Sequence, residues 1–477
     1  MTAKIVEQTE KVEKVIRTAS ELPTGWKKAC LVEIAEIIMG QSPSSEYYNV
    51  DRDGLPFFQG KAEFGDLYPE PVKWCSEPGK IAQKDDILIS VRAPVGPTNL
   101  APSECCIGRG LAAIRPREGI PSKYLLYYLR NIEASLDALG TGTTFKAISG
   151  KVLHAIPVPV APPDQQNRIV AEIEKQFSRL DEAGANLKRV KANLKRYKAA
   201  VLKAAVEGKL TEEWRKAHPD VEAAGDLLKR ILAERQGKWN GKGKYTEPKA
   251  PDTTNLATLP ESWTWATLEQ VSYLVQYGSS AKTSENPTGV PVLRMGNIAD
   301  GKLQVADLKY LPKSHEEFPQ LLLEPGDVLF NRTNSAELVG KTAVYQGKPK
   351  PCSFASYLIR TRLLNGCLPQ FLAYYVNSVL GRAWIASVVS QQVGQANVNG
   401  TKLQALIIPL PQIEEQEQVV AEVERRLSMA ENIEAAVGLS TTRVDRVRQS
   451  ILARAFSAQL PRGMPMHVSS SPIAVSS

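Results

Sequence analysis

Arginine, asparagine and glutamine crowd a set of glycine-bearing loops in this chain, and these side chains suit the edges of base pairs. In the first half the loops are FFQGKAEFG, SVRAPVGPTN, CCIGRGLA and TGTTFKAISG, which carry Gln59, Lys61, Arg92, Arg109, Thr143, Thr144 and Lys146. In the second half LRMGNIADGK, NRTNSAELVGK and QQVGQANVNG carry Arg294, Asn297, Arg332, Asn334, Lys341, Gln395, Asn397 and Asn399. Arg pairs bidentately with guanine, Asn and Gln pair with adenine, and backbone amides beside Gly reach phosphate. Polar glycine-rich loops are also ordinary turns, but their recurrence at corresponding places in both halves favours a shared ligand, DNA. A second basic feature is NLKRVKANLKRYKAAVLK, residues 186–203, with seven Lys or Arg and no acid. It fits either a track for phosphates or the solvated face of a coiled coil.

Patterns for catalysis mostly fail. VGKT at 339–342 lacks the glycine that a phosphate loop needs five residues before Gly340, where Ser335 stands. GTGTTF at 140–145 follows a helical pattern instead of a strand, so its glycines suit a turn. Pro219-Asp220 followed by Glu247-x-Lys249 has a nuclease-like spacing, but it falls in a polar stretch with nothing to hold two carboxylates around Mg²⁺. APPD at 161–164 lacks the flanking residues with which amino-methyltransferases grip a flipped base. The four histidines suggest no Ser, His and acid arrangement. The six cysteines have no C-x-x-C spacing and no nearby His, which disfavours zinc or a disulfide framework and makes them reduced, packed thiols. No catalytic residue, cofactor site or metal site is assigned.

The elements that hold the loops come in duplicate. The chain has 477 residues, 43% hydrophobic and 23% charged, enough for more than one core, and its net charge of +8 is compatible with a polyanionic partner. It contains no apolar run of membrane-spanning length, and its beginning is polar, so a cytoplasmic protein is expected. QQNRIVAEIEKQFSRLDEA at 165–183 has a near-copy in EQEQVVAEVERRLSMAENI at 415–433. The same offset aligns Gly150 with Gly400, Leu153 with Leu403, Pro159 with Pro409, Gln166 with Gln416 and Leu210 with Leu460. Upstream, LPTGWKKACLVEIAEII matches LPESWTWATLEQVSYLV and DDILIS matches GDVLFN, with insertions and deletions between the matches. The chain is thus two tandem halves, each a mixed α and β domain followed by a long helix.

Prolines precede each helix, and apolar residues then recur every seven positions. These are Ile173, Leu180, Leu187, Leu194 and Val201 in one helix, with Val190 and Tyr197 in support, and Val423, Ala430, Val437, Val444 and Ile451 in the other. A heptad stripe calls for a partner helix, and two such helices in one chain can satisfy each other. DDILISV, GLAAIRP, GDVLFN and SYLIRTRLL read as strands, while SKYLLYYLRNIEASLDAL and PQFLAYYVNSVLGRAWIASVV read as helices. The boundaries are an extension at 1–21, a domain at 22–160, a helix at 161–210 and a linker with a short helix at 211–258. A second domain at 259–411, a second helix at 412–460 and a disordered tail at 461–477 complete the chain.

In order and in duplication, these features resemble the specificity (S) subunit of type I restriction-modification enzymes along nearly the whole chain. The resemblance rests on LPTGW and LPESW as domain openings, SVRAPVG followed by CIGRGLAAI, and PVLRMGNI followed by GDVLFNRTN. It rests above all on the duplicated start of the helix and on AVLKAAVEGKLTEEW at the end of its first copy. It implies an α+β protein of two target recognition domains, with two long helices between them paired as an antiparallel coiled coil. Each domain would read half of a bipartite, asymmetric site in double-stranded DNA. The helices would dock two methyltransferase subunits, and restriction/translocase subunits would join through the complex. S-adenosylmethionine, ATP and Mg²⁺ would belong to those partners. The rival reading, a fused restriction or methylation enzyme, requires a catalytic motif that the sequence does not supply. The extension before LPTGW departs from the pattern, and its role is left open.

Overall fold

The structure, a computed structural model, describes residues 10, 12–16, 22–142, 146–239, 243–335, 338–392 and 395–457. It divides into two units, residues 1–188 with 438–477, and residues 189–437. The expected tail at 461–477 lies outside the described residues, as do Thr143 and Thr144.

In unit 1 the strand Lys27–Cys30 pairs antiparallel with Pro157–Val160, joining the domain's beginning to its end. Pro157 and Pro159 lack an N–H and so suit the edge of a ladder. Tyr128 donates its hydroxyl hydrogen to the Pro157 carbonyl, and Tyr124 donates to that of Pro159 at 2.7 Å. A four-stranded antiparallel sheet follows, in the order Ala35–Met39, Leu111–Pro116, Ile87–Ser90, Thr98–Leu100. All four residues of Ile87–Ser90 are buried, because alternate side chains serve two cores. Ile87, Ile89, Ala112 and Ile114 join a core with the helix Ser122–Asn131, whereas Leu88, Leu111 and Ala113 join another with Phe58, Cys105 and Ile107. That second core belongs to a five-stranded sheet in which Leu55–Phe58 runs parallel to Cys105–Ile107.

Unit 2 repeats the plan. Thr264–Thr267 pairs with Ile407–Leu410, and a four-stranded sheet has the order Ser272–Tyr277, Leu358–Leu363, Val328–Asn331, Thr342–Val344. Val290–Leu293 runs parallel to Ser353–Phe354, as its counterpart does in unit 1. Both units tie the central strands with the same pair, a buried Asp held by a partly exposed Arg: Arg115 forks onto Asp86 at 3.0 and 2.8 Å, and Arg362 onto Asp327 at 2.7 and 3.3 Å. The sequence reads one helix over residues 122–139 and one over 369–389, and each is two. The first breaks at Ile132 and the second at Ser378, whose hydroxyl caps the new helix by accepting from the Gly381 N–H at 3.3 Å.

The long helices are Pro163–Val206 and Ile413–Phe456, 44 residues each. Each opens with acid in its first turn, Asp164 or Glu414 and Glu415, and closes with base in its last, Lys203 or Arg454, as the helix dipole favours. In unit 1 the early part of the first helix meets the late part of the second. Ile173, Phe177 and Leu180 share a core with Ile451, Leu452, Ala455 and Phe456, and Asp181 pairs with Arg448 at 2.5 Å. In unit 2 the late part meets the early part: Val201 and Ala205 pack with Val419 and Val423, and Lys198 pairs with Glu434 at 2.6 Å. The helices therefore pair antiparallel. The seam buries Ile173, Leu180, Leu194, Val201, Val423, Ala430, Val437 and Ile451. Val190 and Tyr197, expected to support it, are instead 37% and 43% exposed, because the second seam position lies four residues after the first, at Phe177 and Ala205, and not three.

The N-terminal extension acquires a place. Val12 and Ile16 are fully buried in the unit 1 core, and Glu13 pairs with Lys28 at 2.7 Å. Residues 211–258 are more than a linker, since the helix Ala224–Gly237 buries Leu227 and Ile231 in the unit 2 core.

Candidate nucleic-acid interface

In unit 1 the glycine-bearing loops converge at one end of the sheets. The Val91 N–H donates to the Gly110 carbonyl at 2.9 Å, and the Ala93 N–H donates to that of Lys146 at 2.9 Å. The Ile148 N–H returns to the Val91 carbonyl at 3.0 Å, and the Arg109 N–H donates to Ser42 Oγ at 3.2 Å. Gly110 is required for this approach, since a Cβ there would lie 2.1 Å from the Gln59 carbonyl oxygen. The loops of Gln59, Arg92, Arg109 and Lys146 are thereby brought together, with all four side chains exposed. Lys61 is also exposed, in the short turn Lys61–Glu63. Lys146 pairs with Asp137 at 2.9 Å, and this hydrogen bond holds the Asp137 carboxyl below its usual range.

Unit 2 gathers the matching loops. The Arg332 N–H donates to the Tyr357 carbonyl at 3.0 Å, and the Arg332 carbonyl accepts the Val398 N–H at 3.0 Å. Thr333–Asn334 pairs with Gln395–Asn397, which in turn pairs with Ser390–Gln392. The Ala355 N–H donates to the Leu293 carbonyl at 2.9 Å, placing Arg294 beside this cluster. Arg332 lies with its Cζ 4.9 Å over the Tyr277 ring and donates from Nη1 to the Ser356 carbonyl at 3.3 Å. Arg294 is half-buried and donates from Nη2 to the Asp307 carbonyl at 2.6 Å.

The asparagines divide. Asn297, expected to read a base, is 4% exposed and committed to its own loop: its oxygen accepts the Arg294 N–H at 2.8 Å, and its amide donates to Gln304 and Ala306 at 2.8 and 3.0 Å. It shapes the turn that carries Arg294. Asn399 is exposed but caps the helix Gly400–Gln404 by accepting the Lys402 N–H at 2.8 Å. Asn334 accepts the Ser335 N–H at 2.8 Å, while half-buried Asn397 accepts from the Thr333 hydroxyl at 3.5 Å. Half-buried Lys341 precedes the strand Thr342–Val344.

The sequence reading missed two residues of this surface, Tyr277 and Tyr357, 42% and 48% exposed. Tyr357 occupies in unit 2 the place of Gly110 in unit 1, each with its carbonyl accepting the N–H of the residue just after the central strand, Arg332 or Val91. The only signal was their position at strand ends beside glycine or serine. The cysteines take no part: five of six are buried, and burial pushes Cys105, Cys352 and Cys367 up to about 12.

Two tandem α+β units with matching loop clusters and paired long helices define a class of protein built by duplication around a common site. Residues 23–193 and 260–430 match the model of the type I restriction modification DNA specificity domain. The chain belongs to this family and carries two copies of its domain. It is 26% identical over 462 residues to the specificity subunit of the type I restriction enzyme EcoKI of Escherichia coli K12, a match covering 93% of this chain and 91% of that one. It is 45% identical over 160 residues to the putative MjaX specificity subunit of Methanocaldococcus jannaschii, covering 32% of this chain and 37% of that one. The fold is shared with a chain from a structural study of complex assembly and conformational transition in the type I R-M system. That match has a TM-score of 0.63 at 20% identity and covers 92% of this chain and 100% of the other. Among the described residues, no helix is long and apolar enough to cross a membrane.

Proposed function

We propose that this chain is the non-catalytic, sequence-reading subunit of a type I restriction-modification complex, with each unit reading one half of a bipartite site in double-stranded DNA. The observation that carries this is the duplicated loop cluster with different side chains at matched places. Gln59 and Arg294 each follow the first strand of the parallel pair, Arg109 and Ser356 follow the second, and Val91 and Arg332 follow the central strand. One scaffold with two unlike sets of base-edge donors reads two unlike half-sites, so the whole site is asymmetric.

The helices supply the partner surface. Val190, Tyr197, Met429 and Ile433 in unit 2 are apolar helix residues left exposed. These apolar positions suit helices of the two methyltransferase subunits. Those partners would hold S-adenosylmethionine, and the restriction subunits would bring ATP and Mg²⁺. The test is methylation mapping. DNA exposed to the chain with its methyltransferase subunits should be modified at one asymmetric bipartite sequence, and the purified chain alone should neither methylate nor cleave. Methyl transfer by the isolated chain would overturn the assignment.

A further inference from the structure

The two units fill one matched position differently: Arg332 in unit 2 stands where unit 1 has Val91, whose N–H donates to the Gly110 carbonyl and whose carbonyl accepts the Ile148 N–H. In unit 2 the Arg332 backbone is fixed on both sides, through its N–H to Tyr357 and its carbonyl to Val398. Its guanidinium lies over the Tyr277 ring, and Nη1 is tethered to the Ser356 carbonyl. The ring is itself pinned, because the Tyr277 hydroxyl accepts the Gly400 N–H at 2.6 Å. Arg332 Nε is buried, so the guanidinium can present only its Nη1–Nη2 end to a ligand.

In unit 1 the place of Tyr277 at the end of the edge strand is taken by Met39, and that of Gly400 by Gly150. The geometry matches: a Cβ at Gly150 would meet Met39 Sδ at 3.4 Å, and one at Gly400 would meet the Tyr277 hydroxyl at 3.3 Å. Methionine offers neither a π face nor a hydroxyl. Arg92 is exposed, and among the described residues its guanidinium has no hydrogen-bond or ring partner.

We propose that Tyr277 is a positioning residue that holds Arg332 as an end-on fork for the O6 and N7 edge of one guanine in the unit 2 half-site. This deepens the DNA-reading assignment and rests on it. A planar, tethered guanidinium loses little freedom on binding and matches the two acceptors at once, whereas a lysine keeps the charge but loses the fork. Unit 1 has no counterpart of this contact, because Val91 stands at the position of Arg332 and Met39 at that of Tyr277.

The experiment is selection of bound duplexes from a random pool by the full chain and its variants at one salt concentration. Arg332→Lys should lose discrimination at one G·C pair of one half-site by about 5- to 150-fold, the range for a bidentate pair. Tyr277→Met, which installs the residue unit 1 already tolerates, should weaken the preference at that same pair by a smaller factor. Tyr277→Phe should keep most of it, because the ring remains. The other half-site should be unchanged in all three. Weakening spread evenly over all sequences, with the selected motif unaltered, would make Arg332 a phosphate contact and overturn the proposal. So would a Tyr277→Met variant with undiminished preference at the Arg332 pair. If the wild-type chain enriches no bipartite motif, the DNA-reading assignment itself fails; an enriched motif that these substitutions leave untouched fails this proposal alone.

Discussion

Removing the Arg215 side chain should destabilise unit 2 more than almost any other single truncation at a partly exposed site. The carboxylate of Glu415 is fully buried in unit 2 and is satisfied by three residues. Its Oε1 accepts from Arg215 Nη2 at 2.6 Å, from Arg215 Nε at 3.0 Å and from the Thr211 hydroxyl at 2.6 Å; its Oε2 accepts from Trp263 Nε1 at 2.8 Å. Arg215 also lies 5.7 Å from the Trp263 ring centre and donates to the Gly208 carbonyl at 2.6 Å. Arg215→Ala leaves a buried carboxylate with two neutral donors and no counter-charge, a loss of about 3–5 kcal/mol. For a body of this size that corresponds to roughly 6–20 °C in its thermal transition. Replacing both partners, Arg215→Met with Glu415→Gln, removes the charges together and should recover most of the loss. Unit 1 supplies the control. There Trp26 Nε1 donates at 3.0 Å to Gln165, the counterpart of Glu415, and the positions matching Thr211 and Arg215 are Pro461 and Pro465. With no charge involved, Gln165→Ala should lose only about 1 kcal/mol. Hydrogen exchange resolved by peptide reads each unit separately. A loss below about 1 kcal/mol for Arg215→Ala, or a double variant no better than the single, would refute the coupled network.

Arg109→Ala should relax discrimination in one half-site and Arg294→Ala in the other, by about 1–3 kcal/mol where a base pair is read; site selection checks this, with a folding control because Arg294 also holds Asp307. Val190→Glu combined with Ile433→Glu should abolish co-purification with the methyltransferase subunits while helicity by circular dichroism is retained. Ile16→Ala should destabilise unit 1 by about 2–5 kcal/mol, since the side chain is fully buried, and denaturant titration would show whether the extension is integral. Hydrogen bonds from Arg425 and then Arg426 hold the Glu422 carboxyl down from 4.5 to about 2. A depressed carboxylate stabilises the fold above its unfolded value, so this contribution should be complete above pH 4.5 and lost as pH falls toward about 2. Comparing acid titrations of the parent and Glu422→Gln measures it.

The duplication, the long helices and most strands were legible because they rest on local periodicity and on two copies that can be compared. The break at Ser378 was less visible, since Val379 and Leu380 continue the apolar pattern across a residue that caps a second helix. Nothing in the residue types around Ile132 explains the break there. For the candidate site, chemistry picked out the right loops but not every side chain. Asn297 looks like an adenine reader in sequence, but its turn uses both of its amide hydrogens and engages its oxygen. Tyr277 and Tyr357 sit in strand-like segments, and only the fold brings Tyr277 beneath Arg332, 55 positions away. Val190 and Tyr197 look like seam residues because a seven-residue repeat does not by itself say whether the second seam position lies three or four residues on; the fold puts Phe177 and Ala205 there.

The short ladders Lys27–Cys30 with Pro157–Val160 and Thr264–Thr267 with Ile407–Leu410 make the chain enter and leave each reading domain through a doorway one strand spacing wide, about 4.8 Å. Topologically, everything in between hangs as a pendant on a hairpin. A graft that exchanges the pendant and keeps the doorway leaves the heptad phase of the adjoining helix untouched, because no residue is added to or removed from the helix. Sequence drift, insertion or wholesale replacement can then change the words a domain reads without changing the grammar by which the subunit assembles.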